Sequence, residues 1–206
     1  MPARTASSPP ITGCSGPGDR STVAGMPRRA DMFLDLADDP REDAPPVRGE
    51  RDTLREYLRC QRLTLEIKCT GLDAAQLAAR SVPPSTMSLL GLIRHLADME
   101  RGWMRRRVAG LAAPRIFGDP GNPDGDFDDA VGDPAVVDEA WRIWREECAF
   151  TDEFVAAAPD LDLLGKVAPA DDMQLREVLV HIIEEYARHL GHADLLRERI
   201  DGRVGQ

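Results

Sequence analysis

The sequence predicts an all-α fold, a four-helix bundle with a long crossover loop between its second and third helices. Three observations predict it. Four long segments repeat apolar residues at the 3.6-residue period of an amphipathic helix. No segment shows the apolar and polar alternation of a half-buried strand. Residues 110–134, between the second and third segments, hold five Gly, four Pro and six Asp, and no regular element is expected to survive that composition. A connection of that length allows a crossover in place of a simple up-and-down chain.

The elements follow in order. Residues 1–45 are expected to be disordered or loosely attached, because Ser, Pro, Gly and unpaired charges dominate the first 31. They lack the apolar run of a signal peptide, and Arg28-Arg29 is not followed by the apolar core of a twin-arginine signal. A translation start at Met26 or Met32 would make this leader a start-site artefact, which the sequence leaves open. The folded domain is expected over 46–206, without internal repeats. Its first helix, 48–70, sets Leu54, Leu58, Gln61, Leu65 and Cys69 near one face and stops before Gly71, a good C-cap. Asp73 can cap one short helical turn, and Val82-Pro83-Pro84 is expected to be extended. Ser85, Thr86 and Ser88 offer caps for the second long helix, about 87–109, with a stripe of Leu89, Leu92, Ile93, Leu96, Met99 and Trp103. His95 flanks that stripe, and by itself it reads as a boundary imidazole half in solvent.

In the loop, Asp124, Asp126 and Asp128 stand at positions 1, 3 and 5 of a calcium loop. Asp129 replaces the Gly required at position 6, however, and Ala135 the Glu at position 12. An EF-hand is excluded, and the stretch reads as a solvated connection. Pro134 opens the third helix, to about residue 157, with Val137, Trp141, Trp144, Cys148 and Val155 on one side. Asp171 or Asp172 can cap the last helix, 174–200, which Gly202 closes.

That last helix carries the chemistry. Val178, Ile182, Glu185, His189, His192 and Leu196 recur at spacings of four, three, four, three and four. On a helix they fall within about 40° of one direction. A stripe that should face the core thus carries a carboxylate and two imidazoles in its middle. Burying an unpaired carboxylate costs several kcal/mol, so something must compensate it. Glu185 and His189, one turn apart, can point at a single divalent cation. They can also simply share a hydrogen bond on a partly wet face.

Composition bounds the function. A chain of 206 residues with net charge −10 shows no basic face for nucleic acid, and no apolar run nears the ~20 residues of a membrane span. Cys14, Cys60, Cys69 and Cys148 show no paired spacing and read as reduced thiols of a cytoplasmic protein.

The strings SLLGLIRHLADMERGW (88–103) and LVHIIEEYARHLGHADLLRERIDG (179–202) resemble the DinB/YfiT-like superfamily of metalloenzymes. More narrowly, they are similar to its actinobacterial branch, related to mycothiol-dependent maleylpyruvate isomerase. The resemblance covers about 48–202. It implies a four-helix bundle holding a divalent metal with His95 from the second helix and Glu185 and His189 from the last. His181, His192 and Asp98 are then candidates for supporting or proton-shuttling roles.

Two His and one carboxylate suit Zn²⁺ best, although Ni²⁺ or Fe²⁺ would also accept the set. Three ligands leave a position open. The resemblance implies a low-molecular-weight thiol, mycothiol, as cofactor, with the metal activating its thiolate for S-transfer or isomerisation of a small-molecule substrate. Two alternatives stand beside it: a hydrolase using metal-bound hydroxide, and a non-catalytic, stress-related metal-binding bundle. A homodimer is left open.

Overall fold

The computed structural model describes residues 33–34, 38–43 and 46–205. The chain is all-α, with no strand among the described residues. Its helices are α1 (Gly49–Cys69), α2 (Ala74–Leu77), α3 (Leu89–Glu100), α4 (Gly125–Asp128), α5 (Pro134–Ala157) and α6 (Leu175–Asp201). A π-helical segment, Arg101–Val108, continues α3 without a break. Capping explains most boundaries. The Asp73 side chain forms a capping box with Gln76 at α2, and Ser88 accepts from the Gly91 N–H at α3. Pro134 is at the start of α5, and Gly202, in the left-handed region at φ 79°, ends α6. Two expectations need correction. Neither Asp171 nor Asp172 caps α6, because Gln174 and Glu177 form the box there. Val82 to Ser85 is a turn rather than extended chain, closed by the Ser85 N–H on the Val82 carbonyl at 2.9 Å.

The long helices surround one core in which Leu65, Leu92, Ile93, Leu96, Val178 and Ile182 are fully excluded from water. Arg176 meets Glu50 and Asp194 meets Lys68, so α1 and α6 run parallel. His95 faces His189 while Trp103 faces His181, so α3 and α6 run antiparallel. The loop after the π-helical segment doubles back along α3. Pro114 accepts from Arg101, Ile116 and Phe117 bind Asp98, Gly125 and Asp126 accept from Arg94, and Phe127 packs on Gly91. It therefore delivers α5 parallel to α3, and Arg101 and Arg105 meet α5 at Glu147.

That return path needs Gly91, where a Cβ would stand 2.6 Å from Phe127 Cδ1. It also creates α4 inside the stretch whose composition predicted no regular element, because Arg94 and Phe127 fix the backbone there.

Most of the residues in 1–45, whose order the sequence put in question, lie outside the described ones. Those described are docked. Phe33 is buried, with Arg203 3.8 Å and Lys68 4.6 Å from its ring centre, and Arg59 donates to the carbonyls of Pro40 and Arg41.

Candidate metal centre

The antiparallel contact of α3 with α6 places His95 opposite Glu185 and His189. One donor atom from each of the three lies within 4.8 Å of the other two. His189 Nε2 is 3.6 Å from Glu185 Oε2. That is too long for a hydrogen bond and near the ~3.3 Å expected between two ligands of one tetrahedral ion with bonds of about 2.0–2.1 Å. The His95 and His189 ring centres are 4.6 Å apart. His189 is buried, whereas Glu185 and His95 are half-buried at the floor of an open cleft of about 340 Å³.

The donor set fits a divalent cation on two further counts. His189 Nε2, the ring nitrogen that faces Glu185, stops 3.6 Å from it, and among the described residues no shorter salt bridge neutralises Glu185. Burial, followed by the neighbouring charges of His95, His192 and Arg188, lowers the His189 pKa from 6.5 to about 4. At neutral pH the ring is uncharged, the form a metal requires.

His95 is aimed from the loop. Its Nδ1 lies 2.9 Å from Asp126 Oδ2, so a proton donated there leaves the Nε2 lone pair for the cluster. Arg115 donates to the same oxygen at 3.1 Å, and the Phe127 N–H reaches the other at 3.2 Å. Burial pushes the Asp126 pKa up, but the His95 hydrogen bond and the charges of His95 and Arg115 outweigh it and hold the group below the usual carboxylate range. Asp126 is only 2 % exposed, which corrects the solvated character expected of its loop. The sequence reading missed it, since no local signal separates Asp126 from its five neighbouring aspartates. It also missed Arg115, Arg106 and Arg107, which line the cleft.

The other candidates sit around this cluster. His181 Nε2 is 3.7 Å from Glu185 Oε1 and its ring rests on Trp103, with centres 4.3 Å apart. His192 stands edge-on to His189 at 5.4 Å, and its own buried Nδ1 lacks a partner. Asp98 accepts the backbone N–H groups of Ile116 at 2.8 Å and Phe117 at 3.0 Å, so it pins the returning loop to α3.

The fold and the cluster together define a class: an all-α, DinB-like protein with two imidazoles and a carboxylate gathered at a cleft. Residues 53–202 match the mycothiol-S-transferase family, and the chain belongs to it. No curated protein and no solved structure matches the chain. No described helix is long and apolar enough to cross a membrane.

Proposed function

We propose that the protein is a divalent-metal-dependent transferase that joins the sulfur of mycothiol to a small electrophile. His95, Glu185 and His189 would hold the ion, with Zn²⁺ the best match to two imidazoles and one carboxylate. A divalent cation held there supplies positive charge that favours ionisation of a thiol at the same site. The observation that carries this reading is the gathering of the three donors within 4.8 Å in a chain whose family transfers mycothiol.

The chain's own residues supply the rest. Asp126, steadied by Arg115, holds the His95 tautomer and ring direction. His189 stays neutral down to about pH 4, so it keeps a lone pair under all physiological conditions. Trp103, Met99 and Phe127 present apolar surface along the cleft, a wall on which an electrophile's hydrocarbon can lie. Transfer forms one S–C bond. The thiol proton passes to solvent or a nearby base, and the electrophile's leaving group departs with its bonding pair, or an unsaturated acceptor takes a proton at the adjacent carbon.

The test uses the purified full chain. Metal content is measured by inductively coupled plasma mass spectrometry, and consumption of monochlorobimane is followed with and without mycothiol. Stoichiometric metal and consumption that requires both metal and thiol are expected. Ester or amide cleavage that proceeds without thiol would instead establish the hydrolytic alternative.

A further inference from the structure

The π-helical segment Arg101–Val108 carries four arginines, and they fall into two kinds. Arg101 and Arg105 share the buried carboxylate of Glu147 from α5. Arg106 and Arg107 reach no carboxylate among the described residues, although acidic residues outnumber Lys and Arg by 36 to 26. Their guanidinium groups converge. A Cβ on Gly102 would lie 3.2 Å from Arg107 Nη1 and 3.3 Å from Arg106 Nη2, so the two nitrogens are no further apart than those distances combined.

The helix type brings this about. In an α-helix, 3.6 residues make a turn, so position i+4 sits near position i and i+5 points well away. A π-turn closes from i to i+5, as the Ala109 N–H does on the Met104 carbonyl at 2.8 Å, so i+4 and i+5 straddle i. Arg106 and Arg107 are i+4 and i+5 from Gly102. Gly102 leaves room there for both heads, since a Cβ would press on each at 3.2 and 3.3 Å.

Arg107 is also fixed in place. The Arg107 guanidinium lies over the Trp103 ring, 4.6 Å from its centre, and the Arg107 carbonyl accepts the Lys166 and Val167 N–H groups at 2.8 and 3.1 Å. Both side chains are half-buried and line the same cleft as His95 and Glu185. Burial, and next the charge of Arg106, lowers the Arg107 pKa below its ordinary value. Asp98, Asp124, Asp126 and Glu185 line the cleft too, but none pairs with these two arginines, and two like charges held together without a paired acid are stabilised by an anion placed between them.

We infer that Arg106 and Arg107 form an oxyanion subsite beside the metal centre, and that the electrophile this protein accepts carries a carboxylate or similar anionic group at its far end. The second half of this rests on the transferase reading above; the subsite itself does not. Met99, Trp103 and Phe127 line the same cleft, so an acid with a hydrocarbon body is the best-matched shape.

Two measurements separate the parts. The first is equilibrium binding of unreactive 4-acetylbenzoate, set against uncharged 4-acetylbenzamide and inorganic phosphate, to the metal-loaded full chain and to the Arg106→Gln/Arg107→Gln variant. The acid should bind tighter than the amide, and the double change should weaken it by about 10- to 100-fold, the usual range for losing charge-assisted hydrogen bonds. Phosphate binding as tightly as the acid would mark a site for free anions, overturning the substrate assignment. Equal binding of acid and amide to the unaltered chain overturns the subsite. The second is the ratio of kcat/KM for 4-(bromoacetyl)benzoate over 4-(bromoacetyl)benzamide with mycothiol, which should fall by a similar factor in the variant. An unchanged ratio overturns the substrate assignment. Arginine-dependent binding of the acid without any thiol transfer leaves the subsite standing and removes the transferase reading. Arg106→Gln alone, which leaves Arg107 on Trp103, repeats both tests should the double variant fail to fold.

Discussion

Two clusters of ionisable side chains lie between α3 and α6, five residues apart along α3, and they are built on opposite principles. Around Glu100 everything is satisfied. The carboxylate, fully excluded from water, accepts two hydrogen bonds from Arg62 of α1 at 2.8 and 2.6 Å. It accepts others from Thr151 of α5 and Tyr186 of α6, each at 2.7 Å, and Cys148 adds its thiol at 3.3 Å. Burial pushes the Glu100 pKa up, but the Arg62 charge and these hydrogen bonds bring it below its ordinary value. Around His95, Glu185 and His189 the donors and acceptors do not pair with one another. The His189 and Glu185 heads stop 3.6 Å apart, and no shorter ion pair among the described residues reaches Glu185. A buried charge is thus no mark of a site by itself. A buried group left without its partner is.

The contrast predicts which substitutions cost stability and which cost ligand. The largest effect should come from Glu100→Ala, which leaves the buried Arg62 with only the exposed carboxylate of Asp152 and strips Thr151 and Tyr186 of their acceptor. A loss of about 3–5 kcal/mol is expected in urea unfolding. Little change there would mean that the network contributes nothing to holding α1, α3, α5 and α6 together. His189→Ala should do the reverse. Stoichiometric metal should vanish from mass spectrometry, while the metal-free protein loses less than about 2 kcal/mol, because no hydrogen bond is broken. If His189→Ala unfolds the chain as Glu100→Ala does, the distinction between the two clusters is lost.

Asp126→Asn tests the link between the loop and the cluster. It keeps the shape but removes the charge that orients His95, and metal affinity measured against a competing chelator should drop by about 10- to 100-fold. His192→Ala should weaken metal within the same range or less, since its ring only abuts His189. Unaltered affinity in Asp126→Asn would reduce the His95 contact to packing.

A smaller change is expected with pH. The His189 pKa is about 4 in the folded chain against 6.5 when unperturbed, so between those values the unfolded state binds the proton and the folded state does not. Metal-free stability should therefore fall as pH drops from about 6.5 towards 4, and the fall should be shallower in His189→Ala. Urea midpoints at pH 7 and pH 5 measure it; equal slopes for the two proteins would mean that another group governs this range.

Much of this architecture is local in origin and was legible in the chain. Apolar period identified the four long helices, and Asp73, Ser88 and Gly202 marked boundaries, because caps and periodicity act within a few residues. The juxtaposition of Glu185 with His189 is equally local, one turn apart on a stripe that has to face inward. Pairing them with His95 went beyond periodicity and came from the resemblance of two long strings to a known family.

What tertiary structure alone decided is everything contributed across sequence distance. Asp126 becomes the partner of His95, 31 positions away, only because the loop doubles back along α3 over Gly91. Glu100 becomes structural only because Arg62, Thr151 and Tyr186 converge from three other helices. The π-turn that swings Arg106 and Arg107 over Gly102 has no signature in a run of arginines. In each case the deciding quantity is whether a polar group finds its partner, and that depends on the packing of helices, which no single segment encodes.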